Sequence, residues 1–218
     1  KKKVAIIGGG IGGMEAALDA KKRGHEVTVY EKSDHLGGLA VPASAHGFKD
    51  DLKRLVKWYI NEIHRAGIPV ELNTEVTSDM IKKIRPDAVI VAVGSEPVMP
   101  KIEGIDHPKC VSCVDVLDGR AQLGEKLVIV GGGLVGCETA IDYASQGKDV
   151  TIVEAAPEVL AASGMVDITI SMMVKDLLED NHVKILAGHK IEGVCDKGAI
   201  ITPTEGGDRS IVEADNVI

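Results

Sequence analysis

The stretch Val4–Gly13, which reads VAIIGGGIGG, decides the fold of this 218-residue chain. A second stretch, Leu127–Gly136, reads LVIVGGGLVG and repeats the first at an offset of 123 positions. Each joins a short apolar run, typical of a buried parallel strand, to a G-x-G-x-x-G pattern that opens a helix. An acid, Glu31 or Glu154, follows the first glycine of each pattern by 23 positions. Two complete copies predict two dinucleotide sites in one molecule.

The two copies continue alike beyond their glycines. The first predicts a helix over Gly12–Arg23 and a strand over Val27–Tyr30. The second predicts a helix that runs to about Gln146 and a strand over Val150–Val153. Each copy is therefore expected to form a strand–helix–strand unit with a right-handed crossover.

Between the copies, the pattern predicts an amphipathic helix over Phe48–Ala66 and strands over Ile68–Leu72 and Asp87–Val93. A stretch rich in Pro and Gly follows that last strand, so we expect a domain boundary within residues 95–110.

After the second copy, the pattern predicts a helix over Ile168–Asp180 and a buried strand that begins at Asp215–Ile218. The β-rich runs between them are expected to form, in part, an antiparallel β-meander. These runs are Val183–Leu186, Ile191–Cys195, Ala199–Thr202 and Ser210–Val212. The expected fold class is α/β, with two Rossmann-like dinucleotide-binding domains built on central parallel sheets. The domains are assigned to residues 1–105 and 106–218.

Composition narrows the classes of partner. The net charge is −8 and aromatic residues make up 2% of the chain, which argues against a nucleic acid or an anionic membrane as partner. No stretch approaches the roughly 18 apolar residues needed to cross a bilayer. The four cysteines are irregularly spaced, so we expect free thiols and a cytoplasmic protein. The seven histidines show no ligand spacing, and no metal site is expected.

Each residue of the glycine pattern has a physical task. The first glycine permits a tight turn, the second lets the backbone approach a pyrophosphate, and the third lets the helix pack close to the sheet. Glu31 and Glu154 are placed to accept hydrogen bonds from a ribose diol. Because the carboxylate of Glu154 would repel a 2′-phosphate, the second site is expected to prefer NADH over NADPH. The glycines are Gly8, Gly10 and Gly13, then Gly131, Gly133 and Gly136.

Five segments carry a family resemblance that spans nearly the whole chain: Val4–Gly10, Glu31–Gly38, Asn73–Thr77, Val91–Pro97 and Val128–Ala140. Together they resemble the flavoproteins with two dinucleotide-binding domains, relatives of the pyridine nucleotide–disulfide oxidoreductases. In detail they resemble the C-terminal flavin/NAD module of the 2-enoate reductase and 2,4-dienoyl-CoA reductase branch. That branch belongs to the old yellow enzyme-like NADH:flavin oxidoreductases.

The resemblance implies FAD at the first fingerprint and NADH at the second. It places Gly37 and Gly38 along the FAD ribose and pyrophosphate, and the backbone of Val76 against the adenine. Ala92–Gly94 would close over the cofactor. Glu138 would face the nicotinamide, with a helix-surface carboxylate as the alternative. The implied cofactor-binding residues are Gly8, Gly10, Gly12, Gly13, Glu31, Lys32, Gly37, Gly38, Val76, Ala92 and Gly94, then Gly131, Gly133, Leu134, Val135, Gly136, Glu138 and Glu154.

The resemblance also implies a longer protein. A barrel domain with iron–sulfur cysteines is expected before Lys1, and a closing segment of the flavin domain after Ile218. Domain 1–105 would then be incomplete, and domain 106–218 would stop within its last strand.

The expected reaction passes a hydride from NADH to the flavin and needs no catalytic side chain. Two alternatives stay open: a structural module that holds ADP, and a free-standing NADH:acceptor reductase of the ferredoxin or rubredoxin type. The pair Cys110 and Cys113 is interpreted as ordinary thiols, because disulfide-reducing relatives carry their active pair elsewhere.

Overall fold

The computed structural model describes residues 1–161, 163–164 and 166–218. The chain forms two compact units, Lys1–Glu96 and Pro97–Ile218. Residues 97–105 therefore cluster with the second unit, whereas the sequence assigned them to the first domain. The carbonyl of Glu103 accepts a hydrogen bond from the N–H of Val194 at 2.8 Å, which ties this segment to the second unit.

The first unit is a four-stranded parallel sheet with helices between its strands. The strand order is β3-β2-β1-β4. Its elements are β1 (Lys3–Ile7), α1 (Ile11–Lys22), β2 (Glu26–Tyr30), α2 (Ala40–Ala43), α3 (Asp50–Arg65), β3 (Val70–Glu71), α4 (Ser78–Ile84) and β4 (Ala88–Val91).

The second unit repeats this sheet and adds an antiparallel one. Its parallel strands lie in the order β11-β5-β6-β7, and a separate sheet has the order β10-β9-β8. Its elements are α5 (Cys113–Leu117), β5 (Lys126–Val130), α6 (Leu134–Ser145), β6 (Asp149–Glu154), α7 (Ile168–Asp180), β7 (Lys184–Ala187), β8 (His189–Cys195), β9 (Gly198–Pro203), β10 (Ser210–Glu213) and β11 (Asn216–Val217).

Apolar strand residues pack the helices of each unit against its parallel sheet. In the first unit, Val4, Ile6 and Val29 pack with Met14 of α1 and Ile63 of α3 in one buried cluster. The strands of a doubly wound sheet are apolar on both faces because helices or further strands cover each face. In the second unit, β8 and β9 cover one face of the parallel sheet, and their apolar side chains join those of β5, β6 and β11 in a buried cluster.

In both units, an aspartate just before the last parallel strand accepts hydrogen bonds from backbone N–H groups at the start of the first strand. The carboxylate of Asp87, just before β4, accepts a hydrogen bond from the N–H of Lys3 at 2.7 Å. Asp215, just before β11, accepts hydrogen bonds from Glu125 and Lys126, both at 2.8 Å. The internal repeat thus extends from the glycine turn to the far edge of each sheet.

Several sequence expectations need correction. Of the four β-rich runs expected to form an antiparallel meander in part, three do so, whereas Val183–Leu186 forms β7, which pairs in parallel with β6 because the crossover through α7 returns the chain to the same sheet edge. The strand expected over Ile68–Leu72 shortens to Val70–Glu71. The sequence analysis also missed three short helices, α2, α4 and α5. Within the described part of the chain, no helix has both the length and the apolar character needed to cross a membrane.

Candidate nucleotide-binding sites

The first glycine turn joins β1 to α1 and leaves no space for a side chain at Gly8 or Gly13. Gly8 has φ +104°, and a Cβ there would lie 2.2 Å from the carbonyl oxygen of Ala92. A Cβ on Gly13 would lie 1.9 Å from the carbonyl oxygen of Gly8, so the first turn of α1 rests directly on the glycine turn. A Cβ on Gly12, by contrast, would point into open space.

Glu31, at the end of β2, is buried and held by backbone groups. The N–H of Gly9 donates to its Oε2 at 2.5 Å, and the N–H of Ser33 donates to its Oε1 at 2.9 Å. The hydroxyl of Ser33 also donates to Oε1, at 2.8 Å. Burial raises the pKa of Glu31, but the hydrogen bonds from Ser33 and Gly9 outweigh that effect and hold the pKa below its ordinary value.

Glu154 repeats this arrangement at the end of β6. The N–H of Gly132 donates to its Oε2 at 2.6 Å, and the N–H of Ala156 donates to its Oε1 at 2.6 Å. The side chain is only 8% exposed. An ionised carboxylate has about four acceptor positions, so both acids retain capacity for the hydroxyl groups of a ribose.

The loops after the two acids are also equivalent, which the sequence analysis did not find. The N–H of Gly37 donates to the carbonyl of Gly9 at 2.9 Å, and that of Leu160 donates to the carbonyl of Gly132 at 2.7 Å. Both pairs are related by the offset of 123 positions. Gly37 has φ +118° and Leu160 has φ +67°, so both positions have a positive φ, which glycine adopts without strain. Only the periodic offset could have revealed this match, because the residue types differ.

A cavity of about 330 Å³ opens at the carboxyl ends of β1, β2 and β4. It lies where the strand order reverses, between β1 and β4, which is where doubly wound sheets bind ligands. Five of the predicted site residues line it: Gly8, Glu31, Lys32, Val76 and Gly94. Val93, within the predicted segment Ala92–Gly94, lines it as well. Six further lining residues were not predicted from the sequence: Ile7, Tyr30, Thr74, Glu75, Ser95 and Glu96.

The other predicted residues of the first site lie beside the cavity. Gly10 forms an isolated parallel bridge with Gly37, and a Cβ on Gly38 would lie 3.0 Å from the Cα of Gly10. The N–H of Ala92 donates to the carbonyl of Ile7 at 2.8 Å. Gly10, Gly12, Gly13, Gly37, Gly38 and Ala92 thus surround the glycine turn without lining the cavity.

In the second unit, the predicted residues lie along the start of α6. Gly133 precedes this helix, Leu134 begins it, and Val135 is 56% exposed. A Cβ on Gly136 would lie 2.0 Å from the carbonyl oxygen of Gly131, as in the first unit. Glu138 is half-buried on the same helix, and its role toward a nicotinamide stays a prediction.

A serine that the sequence analysis missed lies beside this second turn. A Cβ on Gly133 would lie 3.3 Å from the hydroxyl oxygen of Ser163. That oxygen is buried and has no hydrogen-bond partner within residues 1–161, 163–164 and 166–218.

The N-termini of α1 and α6 suit a phosphate group. The chain has four helices longer than ten residues in its described part: α1, α3, α6 and α7. Only α1 and α6 of these have neither a side-chain cap nor an acid in the first turn. Helix N-termini carry unpaired N–H groups and partial positive charge, which favour an anion. The donor set of both turns therefore fits the pyrophosphate of a dinucleotide.

The four cysteines are free thiols. Burial raises the pKa of the Cys110 and Cys113 thiols. Burial also raises the pKa of Cys137 to about 11, with the charges of Glu154 and Glu138 adding to the effect. Because the thiolate is the reactive form, these groups are poor nucleophiles at neutral pH, in agreement with ordinary thiols.

Comparison with known proteins identifies the class. The sequence profile described as pyridine nucleotide-disulphide oxidoreductase matches residues 2–218. The chain therefore belongs to the pyridine nucleotide-disulphide oxidoreductase family. The family resemblance and the α/β fold class expected from the sequence are both confirmed. This family and the reductase and NADH oxidase among the relatives agree with the two cofactors predicted, FAD and NADH.

Particular relatives are similar to this chain over part of their length. The chain is 42% identical over 217 residues to the cinnamate reductase of Clostridium sporogenes, and the alignment covers 100% of this chain and 32% of the relative. It is 46% identical over 158 residues to the NADH oxidase of Thermoanaerobacter brockii, covering 71% of this chain and 24% of the relative. A solved 2-naphthoyl-CoA reductase complex superposes with a TM-score of 0.89 at 37% identity, covering 100% of this chain and 32% of that one. The chain thus spans about a third of the length of these relatives.

Proposed function

We propose that this chain is the cofactor-binding part of an NADH-dependent flavoprotein reductase, with FAD in the first unit and NADH in the second. One observation carries the proposal: each unit has an uncapped helix N-terminus beside a buried glutamate anchored to the glycine turn. A phosphate group fits the first feature, and a ribose diol fits the second.

Different residues of the first unit would bind different parts of FAD. The N–H groups at the start of α1 would bind the pyrophosphate, and Glu31 would orient the ribose. Val76 and Gly94 line the same cavity and would lie against the adenosine. In the second unit, Glu154 would orient the ribose of NADH, and the start of α6 would bind its pyrophosphate.

When bound, NADH supplies a hydride that the flavin accepts, and no protein side chain needs to exchange a proton in that step. The protein holds the two cofactors in position and excludes water. The reduction of a final substrate is assigned to another domain of a longer protein, as the resemblance to the 2-enoate reductase branch implies. The four free thiols favour a cytoplasmic location.

The proposal predicts that NADH bleaches the absorbance of bound FAD under anaerobic conditions. We expect reduction in stopped-flow mixing of the whole protein with NADH, and a rate with NADPH at least about tenfold lower, because Glu154 lies where a 2′-phosphate would approach. Binding of NADH without bleaching would instead support the structural ADP-holding module. Equal rates with NADH and NADPH would contradict the role given to Glu154.

Electron transfer to a small acceptor protein would distinguish the free-standing acceptor reductase from a part of a longer reductase. A chain that bleaches with NADH and passes electrons directly to ferredoxin or rubredoxin, with no further domain, would support the free-standing acceptor reductase.

A further inference from the structure

An ion pair spans the mouth of the cavity in the first unit. Lys32 follows β2 and Glu96 follows β4, so the two residues lie on different segments of the cavity wall. The Nζ of Lys32 donates to the Oε1 of Glu96 at 2.5 Å. Both side chains are more than half exposed. The pair therefore joins two segments of the cavity wall on a side that faces solvent.

The segment 93–96 depends on this pair for its position. Val93 is 63% exposed, and a Cβ on Gly94 would meet open space. Among the described residues, no other hydrogen bond joins residues 93–96 to the rest of the unit. The last backbone anchor before them is the N–H of Ala92 on the carbonyl of Ile7. The side chain of Glu96 therefore makes the hydrogen bond that joins residues 93–96 to the opposite side of the cavity.

The charges around Lys32 keep the pair ionised. Lys32 is the only cation among the residues that line the cavity, whereas Glu31, Glu75 and Glu96 are acids. The hydrogen bond and the charge of Glu96 raise the pKa of Lys32, with further contributions from Glu75 and Glu31. Lys32 in turn lowers the pKa of Glu96. Both groups therefore stay charged across the neutral range.

We propose that Lys32 and Glu96 form a strap across the adenosine end of the FAD site, and that Glu96 is a positioning residue which acts through Lys32. This inference rests on the proposed function. With its ammonium held by Glu96, the stem of Lys32 extends over the cavity and keeps the segment 93–96 in place. The strap slows release of the adenine nucleotide without touching the reacting atoms.

The exposure of the pair explains how a ligand can pass it. An ion pair in solvent contributes only modestly, and salt screens it. The strap therefore opens easily, and its effect falls on the rate of exchange rather than on whether the site forms. Two consequences distinguish it from a merely structural contact: sensitivity to salt, and rescue when the two charges exchange places.

The test is the rate at which FAD leaves the whole protein, followed by the recovery of flavin fluorescence after dilution. Glu96→Gln and Lys32→Met are each expected to speed release about two- to fivefold, the range of an exposed ion pair. The double exchange Lys32→Glu with Glu96→Lys is expected to restore most of the lost retention. Added NaCl should speed release from the wild type and leave the rate of Glu96→Gln nearly unchanged.

The matched control is Asp79→Asn, which removes the exposed Lys82–Asp79 pair on α4, away from the cavity. It is expected to leave the release rate unchanged. Unchanged rates in both strap variants, or failure of the exchanged pair to rescue, would overturn the strap while leaving the proposed function intact. A wild type that takes up no FAD would overturn both.

Discussion

Gly13→Ala is expected to destabilise the first unit by at least about 3 kcal/mol, whereas Gly12→Ala is neutral or stabilising. The Cβ of an alanine at position 13 would lie 1.9 Å from the carbonyl oxygen of Gly8, a backbone atom that cannot rotate away. The neighbouring substitution meets nothing within 4 Å, and it gains up to about 1 kcal/mol of helix propensity inside α1.

The chain carries its own probe for this measurement. Its single tryptophan, Trp58, lies in α3 of the first unit. Urea unfolding followed by tryptophan fluorescence should show a large drop in midpoint for Gly13→Ala and none for Gly12→Ala. Equal midpoints for the two variants would show that α1 can move away from the glycine turn, which would contradict the close packing described for this helix.

Glu31→Gln is expected to cost about 1–3 kcal/mol of stability and to weaken FAD binding strongly. The amide of a glutamine cannot accept at both ends, so an N–H of Gly9 or Ser33 would lose its partner in a buried site. Glu26→Gln, at the exposed start of the same strand β2, is the matched control and should change neither quantity.

The pH dependence of that stability loss has a definite sign. Because the folded-state pKa of Glu31 lies below the ordinary value of 4.5, its contribution is fully present above that pH. It is lost as the pH falls through the folded-state pKa. The difference in unfolding free energy between wild type and Glu31→Gln should therefore be constant near neutral pH and shrink below about pH 4.5. A difference that does not change with pH would show that the charge of Glu31 contributes nothing.

The helices and strands that were predicted correctly are those marked by the apolar spacing of their own residues. The strand Val4–Ile7 and the helix over Gly12–Arg23 match β1 and α1 to within a residue, because apolar spacing and glycines mark both ends. The sequence left open which of the four β-rich runs join the antiparallel sheet. Val183–Leu186 joins the parallel sheet instead, and this was not predictable because an apolar run does not encode which strand it pairs with. The division between the two units, after Glu96, falls within the stretch 95–110 that the sequence indicates. Residues 97–105 cluster with the second unit through contacts such as that of Glu103 with Val194, which are distant in sequence.

The site residues that belong to the repeated motif were predictable from the sequence. The site residues brought together by contacts between distant positions were not. The glycines and the two acids follow from spacing alone. The pairing of Lys32 with Glu96 joins positions far apart in the chain, and nothing local marks Glu96 as a wall of the cavity. The buried hydroxyl of Ser163 was missed for the same reason: its neighbour Gly133 belongs to a different loop.

Calorimetric titration of FAD and of NADH into the wild type, Glu31→Gln and Glu154→Gln decides whether each copy holds its own cofactor. The two copies are proposed to hold different cofactors, so the wild type should bind one FAD and one NADH per chain. Glu31→Gln should lose affinity for FAD and retain NADH, and Glu154→Gln should do the reverse. Equal losses of both ligands in both variants, or binding of the same ligand at both copies, would contradict the account.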